Sequence, residues 1–322
     1  LLMKAMTIDF HGDSVFHTRL LSCLQTSGLK LDHHQHIQSQ VYLLFFKNHR
    51  PLILKGFDNE GKWLRQFHLT KGLRKHGFSE TYQLLDKPGP FSFRGKYYGF
   101  IEYLEPGKEK FLFSNKKDRE DGLKLLEKFH KSTENLALAM PSFNQLRKWK
   151  ARSFLFKKNL PLIRQYVPDH MLNEWLRWAK WSLEGMEANQ QDWKKQPQSI
   201  LHGDCAHHNF LRREDGSLAL IDFDLAAHGA AMFDYLQYAN RILSHLDEPA
   251  KELWDFSQFR PYQNNRAFLY ALVYPSDIFR EWNRQEKNPA QFRQVWLQTV
   301  DHFEKRMDTN RKIARLLNES WS

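Results

Sequence analysis

A chain of 322 residues with 41% hydrophobic and 14% aromatic side chains, and only 15 glycines and 12 prolines, carries enough apolar surface to offset ordering entropy, which excludes a disordered or fibrous protein. Its two cysteines, Cys23 and Cys205, stand far apart and outside any CxxC pair, which excludes a zinc ribbon and a disulfide framework. The net charge of +11 invites a nucleic-acid surface, but the excess sits in residues 1–104 (14 basic, 8 acidic) and 105–200 (19 and 12), while residues 201–322 are slightly acidic (15 and 17), so nucleic acid is disfavoured as a partner.

The opening "LLMKAMTIDFHGDS" meets His11 and Asp13 before a signal-like apolar core could form. The most apolar run, "VYLLFF", is far short of the ~20 residues of a membrane-spanning helix. The expectation is a soluble, cytoplasmic protein with no membrane span. A helix is expected over about Ser14 to Thr26, and then "IQSQVYLLFF" and "PLILKGF", separated by "KNHR", read as two strands joined by a polar turn. "DNEGKWLRQFHLTKGLRKHGF" places Trp63, Phe67, Leu69 and Leu73 near helical spacing, with Asp58 as N-cap and Gly77 as the stop. "TYQLLD" and "KYYGFIEYL", on either side of the turn "KPGPFSFRG", read as two more strands.

"EPGKEK", Glu105 to Lys110, breaks the periodic pattern and sets the expected boundary between domains 1–104 and 105–322. Beyond it helices are expected from Arg119 to Thr133, Met140 to Phe156, Asp169 to Met186 and onward from Pro261. The exception is "FLRREDGSLALIDFD", which reads as strand, turn, strand. The fold class expected is α+β, with a small β-rich N-terminal lobe and a larger, mainly helical C-terminal lobe that holds one hairpin.

The densest chemistry lies in "LHGDCAHHNF", Leu201 to Phe210. Its histidines are poor metal candidates: His207 and His208 are adjacent and diverge, and no HExxH or CxxC partner exists. His33, His34 and His36 read as a polar strand or loop, and Cys205 as a buried filler rather than a nucleophile. The charges carry more. Asp204 is followed five residues later by Asn209, and the hairpin returns the chain to Asp222. A loop with Asp and Asn followed by a hairpin ending in Asp is the arrangement kinases use: one carboxylate takes the hydroxyl proton, while an amide oxygen and a second carboxylate hold Mg²⁺. Lys55, between Leu54 and Gly56 in an apolar strand, requires an anion, and nucleotide phosphates supply one. A surface loop and turn using Asx chemistry is the plainer reading of Asp204, Asn209 and Asp222; their spacing, the hairpin and the upstream lysine together argue against it.

These residues, with "LIDFDLAAHG", "FDYLQY" and "LVYPSDIFREW", resemble the aminoglycoside phosphotransferase and choline kinase superfamily, and most closely its spore-coat-associated branch. The resemblance implies a two-lobed protein-kinase-like fold that uses ATP and Mg²⁺. It implies Asp204 as catalytic base, Asn209 and Asp222 as Mg²⁺ ligands, and Lys55 as phosphate anchor. Glu102, Tyr103 and Leu104 would form the hinge that binds adenine, and His202 and Asp234 would brace the catalytic loop. The chain departs from its relatives in a turn, "HHQHIQSQVY", that has no glycine. It also offers only Glu60 and Gln66 as helix partners for Lys55, and has Ala206 where relatives carry His and Asp224 where protein kinases carry glycine.

The expected activity is transfer of a γ-phosphoryl group to a hydroxyl of a small molecule or cell-envelope component. A polycationic acceptor fits poorly with a protein of charge +11. The alternative is a pseudokinase that serves as a structural or interaction protein, for instance of the spore coat. The run "LRKWKARSFLFKK", with six basic residues between Arg147 and Lys158 and no acid, is either a solvated helix face or a patch for an anionic partner. Trp175, Trp178, Trp181 and Tyr262 either line the acceptor site or belong to the core.

Overall fold

The structure, a computed structural model, describes residues 14–285, 292–300 and 303–317. Its first elements are α1 (Ser14–Gln25), β1 (Leu31–Gln38), β2 (Val41–Phe46), β3 (Leu52–Phe57), α2 (Glu60–Lys75), β4 (Phe91–Phe93) and β5 (Lys96–Glu102). Then follow α3 (Lys116–Thr133), α4 (Gln145–Lys158), α5 (Leu160–Ile163), α6 (Asp169–Ala188), α7 (Gln191–Lys194) and β6 (Gln198–Leu201). The hairpin β7 (Phe210–Arg212) and β8 (Leu218–Leu220) leads to β9 (Ala227–Ala230) and α8 (Met232–Ile242). The chain closes with α9 (Pro249–Glu252), α10 (Arg266–Val273), α11 (Ser276–Gln285), α12 (Phe292–Val300) and α13 (Phe303–Leu316). This is the expected α+β class, a β-sheet N-terminal region and a helical C-terminal region. No helix among the described residues is long and apolar enough to cross a membrane.

The residues gather into two compact units. The first contains the chain up to Phe111, Lys128–Met140 and His208–Leu225; the second contains Leu112–Glu127, Pro141–His207 and the residues from Ala226 onward.

In the first unit, β1 to β5 form an antiparallel sheet in the order β1-β2-β3-β5-β4. Side chains alternate across a strand, so Leu52 and Leu54 of β3 point one way and Ile53 and Lys55 the other. The first face meets Phe16, Leu20 and Leu24, which recur every four residues along α1, together with Leu44, Tyr98 and Phe100. Each such leucine adds ~1.5–3 kcal/mol on burial, and this is what leaves the opposite face available for other work. On that face, Ile53 pairs with Ile101 and Lys55 with Gly99. Gly99 is glycine by necessity: a Cβ there would lie 2.2 Å from Trp63 Nε1 of α2.

Three local expectations are corrected. The N-cap of α2 is Asn59, whose side chain accepts the Lys62 amide, while Asp58 forms ion pairs with Lys62 and Lys96. "TYQLLD" makes one bridge, Leu84 to Ile101, and is otherwise irregular. "IQSQVYLLFF" is not one strand but divides between β1 and β2, which pair with each other; His33, His34 and His36 lie on β1, the polar strand expected of them.

In the second unit, α6 and α10 approach so closely that a Cβ on Gly185 would lie 2.1 Å from the Tyr270 ring. Helix α4 is seated on α11 and its flank through the stacked pairs Phe156–Phe279 (3.9 Å) and Trp149–Tyr274 (4.0 Å). Trp175, Trp178 and Tyr262 are buried, which assigns them to the core. β6 and β9 form a two-stranded antiparallel sheet just before the His202–Asp204 loop and α8.

Candidate active site

In the first unit, the β7–β8 hairpin forms as expected, because "REDGS" supplies a turn between two apolar runs. Its ends are fastened in place. The Ile221 amide donates to the Asn209 carbonyl (3.0 Å), the Leu220 amide to the Glu80 carbonyl (2.8 Å), and the Thr81 hydroxyl to the Leu220 carbonyl (2.7 Å). The chain then turns at Asp222 with φ +67°, the left-handed region that a non-glycine residue rarely enters. The next side chain, Phe223, is buried against Tyr82 and Phe129. That buried anchor holds the strained turn and presents Asp222 and Asp224 on either side of it.

Both carboxylates meet Lys55. Its Nζ donates to Asp222 Oδ1 (2.8 Å) and to Asp224 Oδ1 (2.7 Å). Gln66 Nε2 donates to the same Asp224 oxygen (2.7 Å), and Lys62 Nζ lies 3.5 Å from Asp224 Oδ2. Helix α2 therefore supplies Lys55 with no acid. Glu60 instead accepts the Tyr97 hydroxyl (3.2 Å), and α2 steadies the acid that does pair with the lysine. Burial alone would pull the Lys55 ammonium down; negative charge at Tyr82, Asp222 and Asp224 outweighs it and raises the lysine overall. Burial pushes the Tyr82 phenol up to about 12, so at neutral pH it is uncharged and the two carboxylates carry the effect. For Asp224, burial works upward, but Lys55 and Gln66 prevail and hold it below the ordinary range.

A cleft of about 560 Å³ opens beside this group, within the same unit. Ile53, Ile101, Leu104, Leu211 and Ile221 give it apolar walls, and Lys55, Asn209 and Asp222 line it with polar groups. Glu102 and Tyr103 also border it; the Glu102 carboxylate pairs with Arg74 (3.1 Å) and its amide donates to the Gln83 carbonyl (2.9 Å). The turn between β1 and β2 compensates for its lack of glycine. Ser39 takes φ +43° there, His36 Nε2 bonds the Ser39 carbonyl (2.8 Å), and the Gly56 amide of β3 ties down the Gln40 carbonyl (2.9 Å). Asn209 is buried and Asp222 half-buried, two hard oxygen donors on one cleft, which is a donor set suited to Mg²⁺.

In the second unit, the HGD loop rests on Asp234. This fully buried carboxylate accepts the amides of His202 (2.6 Å) and Gly203 (2.9 Å). Gly203 adopts φ +81°, a conformation that glycine alone takes without cost. The Asp204 amide donates to His202 Nδ1 (3.3 Å), which leaves the ring proton of a neutral His202 to Nε2. Asp204 itself is half-buried, with Arg241 Nη2 3.7 Å from its Oδ1. Cys205 is buried, and its thiol is pushed well up by burial and by the negative charges of Asp234 and Asp204, which removes it as a thiolate nucleophile. Arg241 and Lys62 carry no sequence signal for these roles, and Gln66, expected as a partner of Lys55, bonds to Asp224 instead.

A sheet with a cleft-facing lysine, a hairpin ending in two aspartates, and an HGD loop braced by a buried aspartate are the parts of a kinase-like phosphotransferase fold. The chain belongs to the phosphotransferase enzyme family (APH), whose family model matches residues 36–272. It is similar in structure to an aminoglycoside phosphotransferase from Alicyclobacillus acidocaldarius, with a TM-score of 0.69 at 16% identity over 89% of this chain and 92% of that one. A spectinomycin phosphotransferase in complex with ADP and spectinomycin has a TM-score of 0.59 at 12% identity, over 91% of this chain and 98% of that one. An amicoumacin kinase in complex with AMP-PNP and Ca²⁺ has a TM-score of 0.54 at 13% identity, over 94% of each chain. At such identities the likeness is one of fold. A search of curated proteins returned no match.

Proposed function

We propose that this protein is an ATP- and Mg²⁺-dependent phosphotransferase that moves the γ-phosphoryl group to a hydroxyl of a small-molecule or cell-envelope acceptor. The observation that carries the reading is Lys55, held by Asp222 and Asp224 on an apolar cleft that Asn209 also lines. Residues 1–104 serve as the nucleotide lobe and 105–322 as the catalytic and acceptor lobe. The apolar walls take adenine beside the hinge Glu102, Tyr103 and Leu104, and Lys55 anchors a phosphate. Asn209 and Asp222 are the residues that would hold Mg²⁺, whose charge offsets that of the transferring group. Asp204 accepts the acceptor's hydroxyl proton, a role worth ~10²–10⁴-fold in rate. His202 and Asp234 hold its loop. Structural neighbours with ADP and AMP-PNP support the nucleotide assignment.

A second reading, a pseudokinase of structural or interaction type such as a spore-coat component, draws on the glycine-free turn between β1 and β2. Titration calorimetry separates the two. The enzyme reading expects Mg²⁺-dependent binding of ATP that Asp222→Ala abolishes, and ADP release with a suitable acceptor that Asp204→Ala reduces at least a hundredfold. No binding of Mg-ATP would refute the enzyme reading and leave the pseudokinase, and ATP binding with no turnover across hydroxylated metabolites and envelope fragments would also favour the pseudokinase.

A further inference from the structure

The surroundings of Asp204 are more basic than its position in the chain suggests. Residues 201–322 carry a slight acidic excess, yet three helices of the second unit bring four cations together near this carboxylate. Arg241 of α8 lies 3.7 Å from it. Lys148 and Arg152 stand one turn apart on α4, so they share a face. Arg152 Nη1 is held by the Ser276 carbonyl (2.9 Å) at the start of α11, and Arg280 lies one turn further along α11.

The Arg152–Ser276 contact and the stacking of Phe156 on Phe279 hold the basic face of α4 against α11, and the direction of the cations' shifts agrees with that proximity. Lys148 is lowered by burial and then by Arg152 and Arg280, against the pull of Asp204 and Asp234. Arg241 is lowered by burial and then by Arg280, against the pull of Asp204. The nearby acids are already engaged. Asp234 accepts two backbone amides, Asp277 is bound by both Nη groups of Arg306 (2.8 and 2.9 Å), and Glu281 is shared between Arg280 and Arg284. Lys148 makes a contact with the Phe143 ring, 5.7 Å to its centroid, and neither it nor Arg152 has a carboxylate within ion-pair distance among the described residues. Elsewhere on α4, Lys150 is paired with Glu187 (2.8 Å), so the basic run is not one uniform patch.

Like charges gathered in a partly desolvated place are unfavourable until an anion joins them. Resting on the reading of Asp204 as base, we infer that Lys148, Arg152, Arg241 and Arg280 form a subsite for an anionic group, a phosphate monoester or a carboxylate, on the hydroxyl-bearing acceptor. In the transfer, the acceptor O–P bond forms, the bond from γ-phosphorus to the bridging oxygen of ADP breaks, and the hydroxyl proton passes to Asp204. The anionic group stays on the cations throughout. Cationic acceptors are repelled by the same cluster.

The test is calorimetric titration of the full chain, without nucleotide, with glycerol 3-phosphate, glycerate and glycerol. Saturable binding of an anion at millimolar concentration is expected, and none of glycerol; the two anions distinguish a phosphate from a carboxylate site. The double variant Lys148→Gln, Arg280→Gln should weaken binding about tenfold or more, while the cleft variant Lys55→Met keeps it within about twofold. Binding lost in Lys55→Met but retained in the double variant would assign the anion to the nucleotide cleft and overturn the inference. So would the absence of anion binding up to about 20 mM, or tighter binding of choline than of either anion. Failure of Mg-ATP to bind, measured separately, would refute the phosphotransferase reading and leave the titrations to decide the anion subsite.

Discussion

Replacing Lys55 with methionine removes a cation that contacts both Asp222 and Asp224 while keeping most of the side-chain volume. Breaking a fully buried ion pair costs ~3–5 kcal/mol. Here the lysine side chain is 14% exposed, but Asp224 is 34% and Asp222 43% exposed, so water recovers much of that loss. The expected destabilisation at neutral pH is about 1–2 kcal/mol. Its pH dependence is the sharper result. In the native protein Asp224 titrates below its unfolded value, so its contribution is present above an unfolded pKa of about 3.9 and disappears as the pH falls through the lower folded one. Without Lys55, burial acts on Asp224 with its main opposing charge gone and moves its folded pKa upward, so the variant regains relative stability on acidification. Urea midpoints measured from about pH 7 to about pH 3 should show the gap between the two proteins closing. A gap that stays constant across that range would refute the assignment of Asp224 as a partner of Lys55.

Gly99→Ala should destabilise the first unit by about 1–3 kcal/mol, because its Cβ would meet Trp63 Nε1 at 2.2 Å, and Trp fluorescence during urea unfolding reads the loss. Asp234→Asn should slow turnover and speed hydrogen exchange at His202 and Gly203, since an amide has one acceptor oxygen for two buried N–H donors; the unmatched donor costs about 1–3 kcal/mol. Thiol-specific alkylation followed by mass spectrometry should label Cys205 only as fast as the protein unfolds, because its thiol is buried and pushed well up. Rapid labelling of Cys205 in the native state would contradict that burial.

The features that the sequence made legible are local ones. The "REDGS" turn between two short apolar runs announces the hairpin, the apolar surroundings of Lys55 in "PLILKGF" mark a lysine that needs an anion, and the helical spacing of Trp63, Phe67, Leu69 and Leu73 marks α2. What stayed hidden depends on residues distant in the chain. Lys55 and Asp224 are 169 positions apart, and no periodicity links them. The cation group at Asp204 is drawn from α4, α8 and α11, so segment-by-segment charge counts could not reveal it. The cap of α2 slipped by one residue because Asp58 and Asn59 are both good caps, and Asp58 is taken by Lys62 and Lys96. "TYQLLD" has strand-like composition, but Pro88 and Gly89 follow and only Leu84 achieves a bridge.

The first unit is stitched together from three separated stretches of chain. Phe78 rests on Phe129, Leu136 fills the space over Gly72, and the Leu220 backbone bonds to Glu80 and Thr81. During synthesis, therefore, the five-stranded sheet is exposed well before the residues that complete its unit have been made. Those partners arrive only when the ribosome has passed Leu225. Closure at such long sequence separation is slow, and until then the apolar surface that Phe129, Leu136 and Phe223 will cover remains open to aggregation and to chaperones. Emergence of the stretch up to Leu225, rather than completion of the N-terminal third, is the event that allows the cleft around Lys55 to take its final form.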